Sequence, residues 1–425
     1  MKLTPYWLDT SQPGPDRSRT EVGGDVDVAV VGAGLTGLSA ALHLAGKGAR
    51  VAVFDKETVA WGASGRNGGM ATTGLSIGFR DAIARYGFAT ASAYHLAYND
   101  AIDTVEKLVA DEGIDCNFAR TGKMTLAAKP AHYEGLRKTH DVLAERMGYE
   151  TQLIPASEMR TEIASDFYHG AMVDPKGAGL HVGKFTRGLG EAAARKGAEI
   201  HEKAPVTELR RLDGTRHAVV TPRGSVRADQ VLIATSGYTS RPFRWQQVRI
   251  APVGSFIIVT EPLGKEVCDQ LMPHRRMASD TKNLLYYFRI TPDHRLLFGG
   301  RARFAISSPQ SDEKSGRILH KAMTHVFPQL AKTKVDYCWG GLVDMSMDRM
   351  VHAGEHDGVF YSLGYSGHGV QMATHMGRQM ADYMNGSLDA NPWSDLDFKR
   401  IPGHFGPPWF LPFAGAYYRF QDAIR

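Results

Sequence analysis

The chain has 425 residues, of which 43% are hydrophobic and 22% charged; this composition is that of a globular protein and excludes disorder and a coiled coil. Its 50 lysines and arginines against 45 aspartates and glutamates give a net charge of +5 without a basic run, so we expect no nucleic-acid partner. The three cysteines lie far apart, which excludes a disulfide scaffold and favours a reducing compartment.

The chain shows no signal for a membrane or for secretion. Its first residues lack the apolar stretch of a secretory signal, and no window approaches the roughly 18 uninterrupted apolar residues of a membrane-spanning helix. The sequence therefore predicts a cytoplasmic protein without a transmembrane segment. None of the 17 histidines has the paired spacing of metal ligands, so we expect no metal.

Residues 1–25 are polar and rich in proline and glycine, which predicts an arm rather than a core element. Residues 27–31, 35–47 and 50–55 then have the patterns of strand, helix and strand, the βαβ unit of a parallel sheet. Further along, apolar periodicity predicts helices and short strands joined by turns. The predicted helices are 81–112, 131–146, 185–196 and 371–384, and the predicted strands are 198–202, several short pieces within 206–233, 255–260, 284–290, 295–299 and 358–363.

This order of elements predicts an α/β fold in which a Rossmann-type parallel sheet is interrupted by an antiparallel β-sheet domain. The antiparallel domain would hold the substrate. The predicted divisions are an N-terminal arm at 1–25, a nucleotide-binding domain at 26–85, 150–247 and 345–390, a substrate domain at 86–149 and 248–344, and a C-terminal tail at 391–425.

The first strand leads into a glycine triplet, Gly32, Gly34 and Gly37, at the start of the following helix. The first glycine allows a sharp exit from the strand, the second a close approach to a pyrophosphate, and the third the packing of the helix on the sheet. Asp55 follows the next strand, where a carboxylate can accept hydrogen bonds from the ribose hydroxyls of an adenosine. The sequence therefore predicts a dinucleotide site.

Two further glycine-rich segments suit a large planar ligand. Trp61-Gly-Ala-Ser-Gly-Arg-Asn-Gly-Gly69 follows the βαβ unit, and Gly364-Tyr-Ser-Gly-His-Gly-Val370 lies between a predicted strand and a predicted helix. Backbone with few side chains can press against a ring, and N–H groups at a helix start can face an anionic edge. Taken alone, the first segment could also be a flexible surface loop, and the second an ordinary strand-to-helix turn.

Together these segments resemble the flavin-dependent amine oxidases of the D-amino acid oxidase type, and within them the bacterial gamma-glutamyl-amine oxidases most closely. Tyr6-Trp7, Tyr287-Phe-Arg289 and the aromatic residues 401–422 add to a resemblance that spans nearly the whole chain. It implies an FAD-binding fold. The residues implied for FAD are Gly32, Ala33, Gly34, Leu35, Thr36 and Gly37; Asp55 and Lys56; Ser64, Gly65, Arg66, Asn67 and Gly68; Val206; Thr235 and Gly237; and Gly367, His368, Gly369 and Val370.

Two departures from the sarcosine oxidases of that family bear on the cofactor and the substrate. Those enzymes attach flavin through a cysteine at the position of Gly341, and Cys338 falls outside this register, so we expect non-covalent FAD. They also carry a lysine that pairs with the substrate carboxylate where this chain has Gln371. Loss of that charge favours an amine whose carboxylate lies far from the oxidised carbon.

The candidate substrate-binding and catalytic residues form a small set drawn from separate segments. They are Tyr287, Arg289, Gln371, His368 and Arg66. Because side chains alternate along a strand, either Tyr287 and Arg289 or their neighbours Tyr286 and Phe288 face the flavin. The other interpretation of this strand is a core aromatic cluster with a solvated arginine.

Arg66 and His368 lie in the glycine-rich segments and admit more than one role. Arg66 would contact the flavin, neutralise a substrate carboxylate, or form a structural ion pair. His368 would support its loop or contact the flavin rather than act as a base. Amine oxidation needs a neutral amine held over the ring and no dedicated base.

The resemblance implies an FAD-dependent enzyme that oxidises the C–N bond of a small-molecule amine, above all a gamma-glutamyl amine such as gamma-glutamylputrescine. Hydride would pass to the flavin, the imine would hydrolyse to an aldehyde, and reoxidation by O2 would give hydrogen peroxide. Two alternatives stay open: an amino-acid or opine dehydrogenase that reduces a quinone and touches a membrane through residues 409–418, and a flavin-binding subunit without turnover. The oligomeric state stays open as well.

Overall fold

The computed structural model describes residues 1–300, 308–387 and 391–424. Its helices, numbered in chain order, are α1 (Tyr6–Asp9), α2 (Leu35–Gly46), α3 (Phe79–Tyr86), α4 (Phe88–Asp111), α5 (Pro130–Met147), α6 (Val182–Arg195), α7 (Arg244–Gln247), α8 (Lys265–Leu271), α9 (Pro309–Val326), α10 (Gly369–Met384) and α11 (Leu411–Ile424). Its strands are β1 (Asp25–Val31), β2 (Val51–Phe54), β3 (Met70–Ala71), β4 (Lys123–Leu126), β5 (Gln152–Pro155), β6 (Gly170–Asp174), β7 (Ala178–Gly179), β8 (Glu199–His201), β9 (Glu208–Asp213), β10 (Arg216–Thr221), β11 (Gly224–Ile233), β12 (Ala251–Thr260), β13 (Met277–Asp280), β14 (Tyr286–Ile290), β15 (Leu296–Gly300), β16 (Val335–Met345), β17 (His352–His356) and β18 (Val359–Leu363).

The first sheet has β1 at its centre, between β11 and β2, and these three strands run parallel. It continues through β8 on one side and through β18 and the antiparallel β17 on the other, while β10 and β9 extend from β11. All four residues of β2 are buried, as expected for parallel strands covered on both faces. Val30 and Val53 join a core with helices α2 and α10, whereas Ala29 and Phe54 face a separate core.

The second sheet runs in the order β16-β12-β15-β14-β13-β4-β6-β5 and is antiparallel except between β13 and β4. On one face Met124, Leu126 and Phe288 pack with residues of α9 in a core of their own. Lys123 and Thr125 alternate with these core residues along β4 and therefore leave the opposite face. The predicted α/β class, a parallel sheet with an antiparallel sheet inserted in the chain, is confirmed.

Sheet membership corrects one predicted boundary. Residues 150–247 are predicted to belong to the nucleotide-binding domain, but β5 and β6 pair in the second sheet, next to β4. Ala171 and Val173 of β6 lie in the core of that sheet, so this pairing is stabilised by apolar burial. By sheet membership the chain returns to the first domain only after β6.

The first 25 residues are not the free arm that their composition predicts. Tyr6 and Trp7 of α1 are buried, and the Trp7 indole N–H donates to the Asn67 carbonyl at 2.7 Å. Lys2 also forms backbone hydrogen bonds with β16. Two large aromatic side chains are enough to dock this polar segment, because each buries an extensive apolar surface.

The C-terminal tail contains a helix, α11, that its proline-rich composition does not predict. The Asp422 carboxylate accepts hydrogen bonds from the Asn283 and Leu284 backbone N–H groups at 2.8 and 2.9 Å, which docks α11 on the loop that connects β13 and β14. Phe413 and Phe420 of this helix are exposed. In the parts of the chain that the structure describes, no helix combines the length and apolar character needed to cross a membrane.

Candidate active site

A cavity of about 920 Å³ is walled by both sheets. Its lining includes the turn after β1, the end of β2, two glycine-rich segments, and the face of the second sheet that carries Lys123 and Thr125. Ligands of open parallel sheets bind at the carboxyl ends of the strands, so a dinucleotide belongs at this end of the cavity. The end formed by the second sheet is then left for a substrate.

The turn between β1 and α2 has no room for side chains. A Cβ atom on Gly34 would lie 2.7 Å from Ser64 Oγ, and one on Gly37 would lie 1.9 Å from the Gly32 carbonyl oxygen. Gly32 has a φ angle of +113°, which glycine adopts readily. The Leu35 N–H donates to Ser64 Oγ at 2.9 Å and so ties the start of α2 to the glycine-rich segment 61–69. This bare helix N-terminus fits a pyrophosphate.

Asp55 follows β2 and lines the cavity. Its carboxylate accepts hydrogen bonds from the Ala33 N–H at 2.7 Å and the Glu57 N–H at 2.8 Å. Burial raises the pKa of this carboxyl above its ordinary value, against the opposing effect of those two hydrogen bonds. Each oxygen keeps further acceptor capacity, so the ribose contact predicted for Asp55 fits the geometry.

Residues 61–69 are held in place by their own side chains, unlike a flexible surface loop. Asn67 donates to the Ala63 carbonyl at 3.0 Å and accepts from the Gly69 N–H at 2.8 Å. The Arg66 guanidinium donates to two backbone carbonyls at 2.7 and 3.1 Å. Arg66 lines the cavity, but its guanidinium is already hydrogen-bonded to backbone carbonyls. This favours a structural role over pairing with a substrate carboxylate.

Strand β14 resolves the open question of which side chains face the cavity. Tyr287 lines the cavity, and its hydroxyl lies 3.1 Å from Ser255 Oγ. Phe288 lies in the core on the opposite face of the sheet. Tyr287 also contacts the glycine-rich segment 61–69, since a Cβ atom on Gly68 would lie 3.2 Å from its ring. Tyr287 is therefore well placed for the predicted substrate contact.

Arg289 shares the face of Tyr287 but does not line the cavity. Its guanidinium donates to the Gly69 and Leu180 carbonyls, and burial lowers its pKa to about 10. The side chain ends on backbone carbonyls behind the wall, which does not favour the predicted contact between Arg289 and substrate. Arg289 supports the glycine-rich segment instead.

Gln371 also lies outside the cavity lining. It is fully buried in α10, and its Nε2 donates to the Thr72 carbonyl at 2.5 Å. This hydrogen bond holds the wall segment at Thr72, and the substrate contact of Gln371 stays a prediction.

His368 lines the cavity at the start of α10. Burial lowers its pKa to about 3, so the ring is neutral near pH 7 and is a weak base. Its Nδ1 is buried and has no hydrogen-bond partner within the described chain. A ligand contact fits this ring better than proton abstraction does, as expected from its glycine-rich surroundings.

The residues implied for FAD converge on this cavity from separate segments of the chain. Those that line it are Gly32, Ala33, Gly34, Leu35, Thr36, Asp55, Lys56, Ser64, Arg66, Asn67, Gly68, Val206, Thr235, Gly367, His368, Gly369 and Val370. Gly37, Gly65 and Gly237 do not line it and pack behind its wall. The geometry gives these glycines a packing role, since a Cβ atom on Gly65 would lie 2.2 Å from a backbone carbonyl oxygen, and their contact with FAD stays a prediction.

The cavity also contains charged and polar residues that the motifs do not reveal. Lys123 of β4 and Asp174 of β6 project from the second sheet, and His95 of α4 lines the same cavity. The alternation in Lys-Met-Thr-Leu over residues 123–126 is the signal that places Lys123 on the polar face. Only four residues carry that alternation, too few to stand out without the pairing strands.

The three cysteines of the chain are buried, and none lines the cavity. Gly341 does line it, beside Arg66. Among the residues that the structure describes, no group of three or more His, Cys, Asp and Glu side chains is arranged to hold a metal ion.

Comparisons with known proteins agree with this geometry. Residues 27–383 match the family model described as FAD dependent oxidoreductase, DAO. The chain is 32% identical over 409 residues to the probable oxidoreductase OrdL of Haemophilus influenzae, covering 94% of this chain and 92% of that protein. It is 31% identical over 405 residues to gamma-glutamylputrescine oxidoreductase of Escherichia coli, covering 94% and 93%. The solved structure of glycine oxidase from Geobacillus kaustophilus has a TM-score of 0.74 and 23% identity, covering 89% of this chain and 100% of that one.

The chain therefore belongs to the DAO family of FAD-dependent oxidoreductases. The predicted family, enzyme class and cofactor are confirmed. The bare helix N-terminus of α2, the acceptor Asp55 and His368, whose Nδ1 has no hydrogen-bond partner among the described residues, all line the cavity where an extended FAD would lie.

Non-covalent attachment of FAD is our first testable prediction. Acid precipitation of the yellow holoprotein should release all the flavin into the supernatant, because no cysteine lines the cavity. Absorbance of the supernatant and of the redissolved pellet measures the partition. Flavin that stays with the pellet would show a covalent bond and contradict the prediction.

Proposed function

We propose that this enzyme oxidises the C–N bond of an amine, in particular a gamma-glutamyl amine such as gamma-glutamylputrescine, to an aldehyde, with O2 as the electron acceptor. The observation that carries the proposal is the single cavity that joins the dinucleotide cradle to a charged wall on the second sheet. The similarity over 94% of the chain to the gamma-glutamylputrescine oxidoreductase of Escherichia coli supports the choice of substrate.

The cofactor site is assembled by backbone more than by side chains. We assign the pyrophosphate to the N-terminus of α2, the adenosine to Asp55, and the ring to residues 64–68 and 367–370. When bound, FAD supplies the hydride acceptor and a route for two electrons to oxygen. The rigid hydrogen bonding of Asn67 and Arg66 keeps the ring-binding segment in one conformation before any ligand arrives.

The protein must hold the substrate amine in its neutral form beside the flavin. An ammonium has no lone pair on nitrogen to assist departure of hydride from the adjacent carbon, and burial lowers an ammonium pKa. Tyr287 gives this part of the cavity an aromatic wall, and the neutral His368 adds no positive charge. Enclosure between the two sheets orients the reacting carbon and limits bulk water.

The substrate range is our second testable prediction. We expect kcat/KM for gamma-glutamylputrescine to exceed the values for putrescine, glycine and sarcosine by about a hundredfold or more, because only the first fills both ends of the cavity. Oxygen uptake and peroxide formation measure the rates. Equal or greater kcat/KM for glycine or sarcosine would contradict the proposed substrate.

A quinone-linked dehydrogenase is the second candidate. The observation that favours it is the group of exposed aromatic side chains in and before α11, among them Trp409 at 58% and Phe413 at 70% exposure. Amine-dependent reduction of a soluble quinone analogue without oxygen uptake would select this candidate. Stoichiometric peroxide would select the oxidase.

A further inference from the structure

The substrate end of the cavity carries a cation and a carboxylate on adjacent strands. Lys123 of β4 and Asp174 of β6 are directly opposite in the antiparallel register, so both side chains leave the same face of the second sheet. Both line the cavity. Across the described residues, neither side chain takes part in an ion pair with an N–O distance up to 4.0 Å. Two opposite charges thus face the same space without neutralising each other by contact.

Both groups are held in place but keep free hydrogen-bonding capacity. The Asp174 carboxylate accepts from the Tyr149 hydroxyl at 2.8 Å and from the Lys176 backbone N–H at 3.0 Å. Lys123 Nζ donates to the Thr73 carbonyl at 2.9 Å, which leaves two of its three N–H groups. Burial lowers the pKa of Lys123, so an anion bound at this ammonium would stabilise its charged form.

His95 adds a polar group that lacks a partner. The side chain is 3% exposed and lines the cavity, and neither ring nitrogen has a hydrogen-bond partner in the described structure. Burial lowers the pKa of the ring to about 4, so near pH 7 it offers one donor and one acceptor. A buried polar group without a partner costs free energy, which a ligand at this position would recover.

We propose that Lys123, His95 and Asp174 bind the α-amino-acid head group of the substrate. Lys123 and His95 hold its carboxylate, and Asp174 holds its ammonium. This assignment rests on the proposed function, because the gamma-glutamyl end of such an amine carries both of these charges. A ligand with only one of the two charges leaves the opposite protein group buried and uncompensated, so the site selects a zwitterion.

The position of this head site also selects a long substrate. Strand β4 is two strands away from β14, and β6 three, so at 4.7–4.9 Å per strand the head site lies roughly 10–15 Å from Tyr287. In gamma-glutamylputrescine about nine covalent bonds separate the α-carbon from the reacting nitrogen, and this chain spans about 10 Å when extended. Glycine and sarcosine are too short to occupy both places at once.

The test measures binding without turnover. Gamma-glutamylpropylamide carries the zwitterionic head but has no terminal amine to oxidise, and isothermal titration calorimetry on the holoenzyme gives its Kd. Lys123→Met and Asp174→Asn should each raise this Kd about tenfold or more. Lys123→Arg keeps the positive charge and should therefore retain most of the wild-type affinity. A merely structural role for Lys123 does not predict that the charge alone preserves binding.

The matched control is Lys107→Met on α4, which removes an exposed lysine that pairs with Asp111 on the protein surface and does not line the cavity. Its Kd should stay within about twofold of the wild-type value, since its charge is solvent-screened. Absence of binding by the wild-type holoenzyme, or the same Kd in all variants, would overturn the head site. Failure of the wild type to oxidise gamma-glutamylputrescine would instead refute the proposed function, and the calorimetry would still decide on the head site.

Discussion

Replacing Gly37 by alanine should destabilise the protein by about 3 kcal/mol or more and weaken FAD binding by about a hundredfold or more. The new Cβ would lie 1.9 Å from the Gly32 carbonyl oxygen and 3.0 Å from a methyl group of Val30. Neither neighbour can retreat, because Gly32 forms the tight turn and Val30 is fully buried in the central strand. Helix α2 must shift away from the turn and open the cradle for the pyrophosphate.

The flavin-to-protein absorbance ratio and the thermal unfolding midpoint measure this effect. The matched control is Gly46→Ala at the other end of the same helix, where an added Cβ meets nothing within 4 Å. Alanine is the better helix former, so this variant should bind FAD normally and change stability by about 1 kcal/mol or less. If Gly37→Ala also retains its flavin and its melting temperature, close packing at Gly37 does not hold α2 and the pyrophosphate site in place.

Replacing Asp55 by alanine should have the next largest effect. The Ala33 and Glu57 N–H groups lose their acceptor, at about 1–3 kcal/mol each, and removal of a buried carboxylate offsets part of this cost. We therefore expect a net destabilisation of about 2 kcal/mol. Loss of a charged hydrogen bond to the ribose, about 1.5–3 kcal/mol, should weaken FAD binding by about ten- to a hundredfold.

Titration of the apoprotein with FAD, followed by flavin fluorescence, measures the affinity of the Asp55→Ala variant. Asp229→Ala on strand β11 of the same sheet is the control, because that side chain is exposed and its ion pair with Arg216 has an N–O distance of 3.4 Å. Such surface pairs contribute about 0–1 kcal/mol. Equal FAD affinities of the two variants would show that Asp55 does not contribute to FAD binding.

The cofactor half of the cavity could be predicted from the sequence because its requirements are local. A strand, three glycines, a helix and an acid lie within one short stretch, and close backbone contacts dictate each glycine. Gly37 illustrates the limit of this inference: its packing against Gly32 follows from the motif, but its absence from the cavity wall does not.

The substrate half of the cavity depends on pairing between distant segments. Its residues could therefore not be predicted from the sequence. Lys123 and Asp174 are separated by the 50 residues 124–173 and lie opposite each other only because β4 and β6 pair. Arg289 shows a second limit, since alternation along β14 predicts the side that a residue faces but not how far its side chain reaches. The docking of Trp7 on the Asn67 carbonyl is a third limit. The polar composition of the first 25 residues predicts an arm, but two buried aromatic side chains attach this segment to the core.

Anaerobic titration of the holoenzyme with gamma-glutamylputrescine tests most directly whether FAD in this cavity takes hydride from a gamma-glutamyl amine. Without oxygen, each enzyme turns over once, so the visible flavin bands report the chemistry itself. We predict that these bands bleach in proportion to added substrate and return on admission of air, with peroxide formed. A spectrum that stays unchanged with gamma-glutamylputrescine but bleaches with glycine or sarcosine would contradict the proposed substrate.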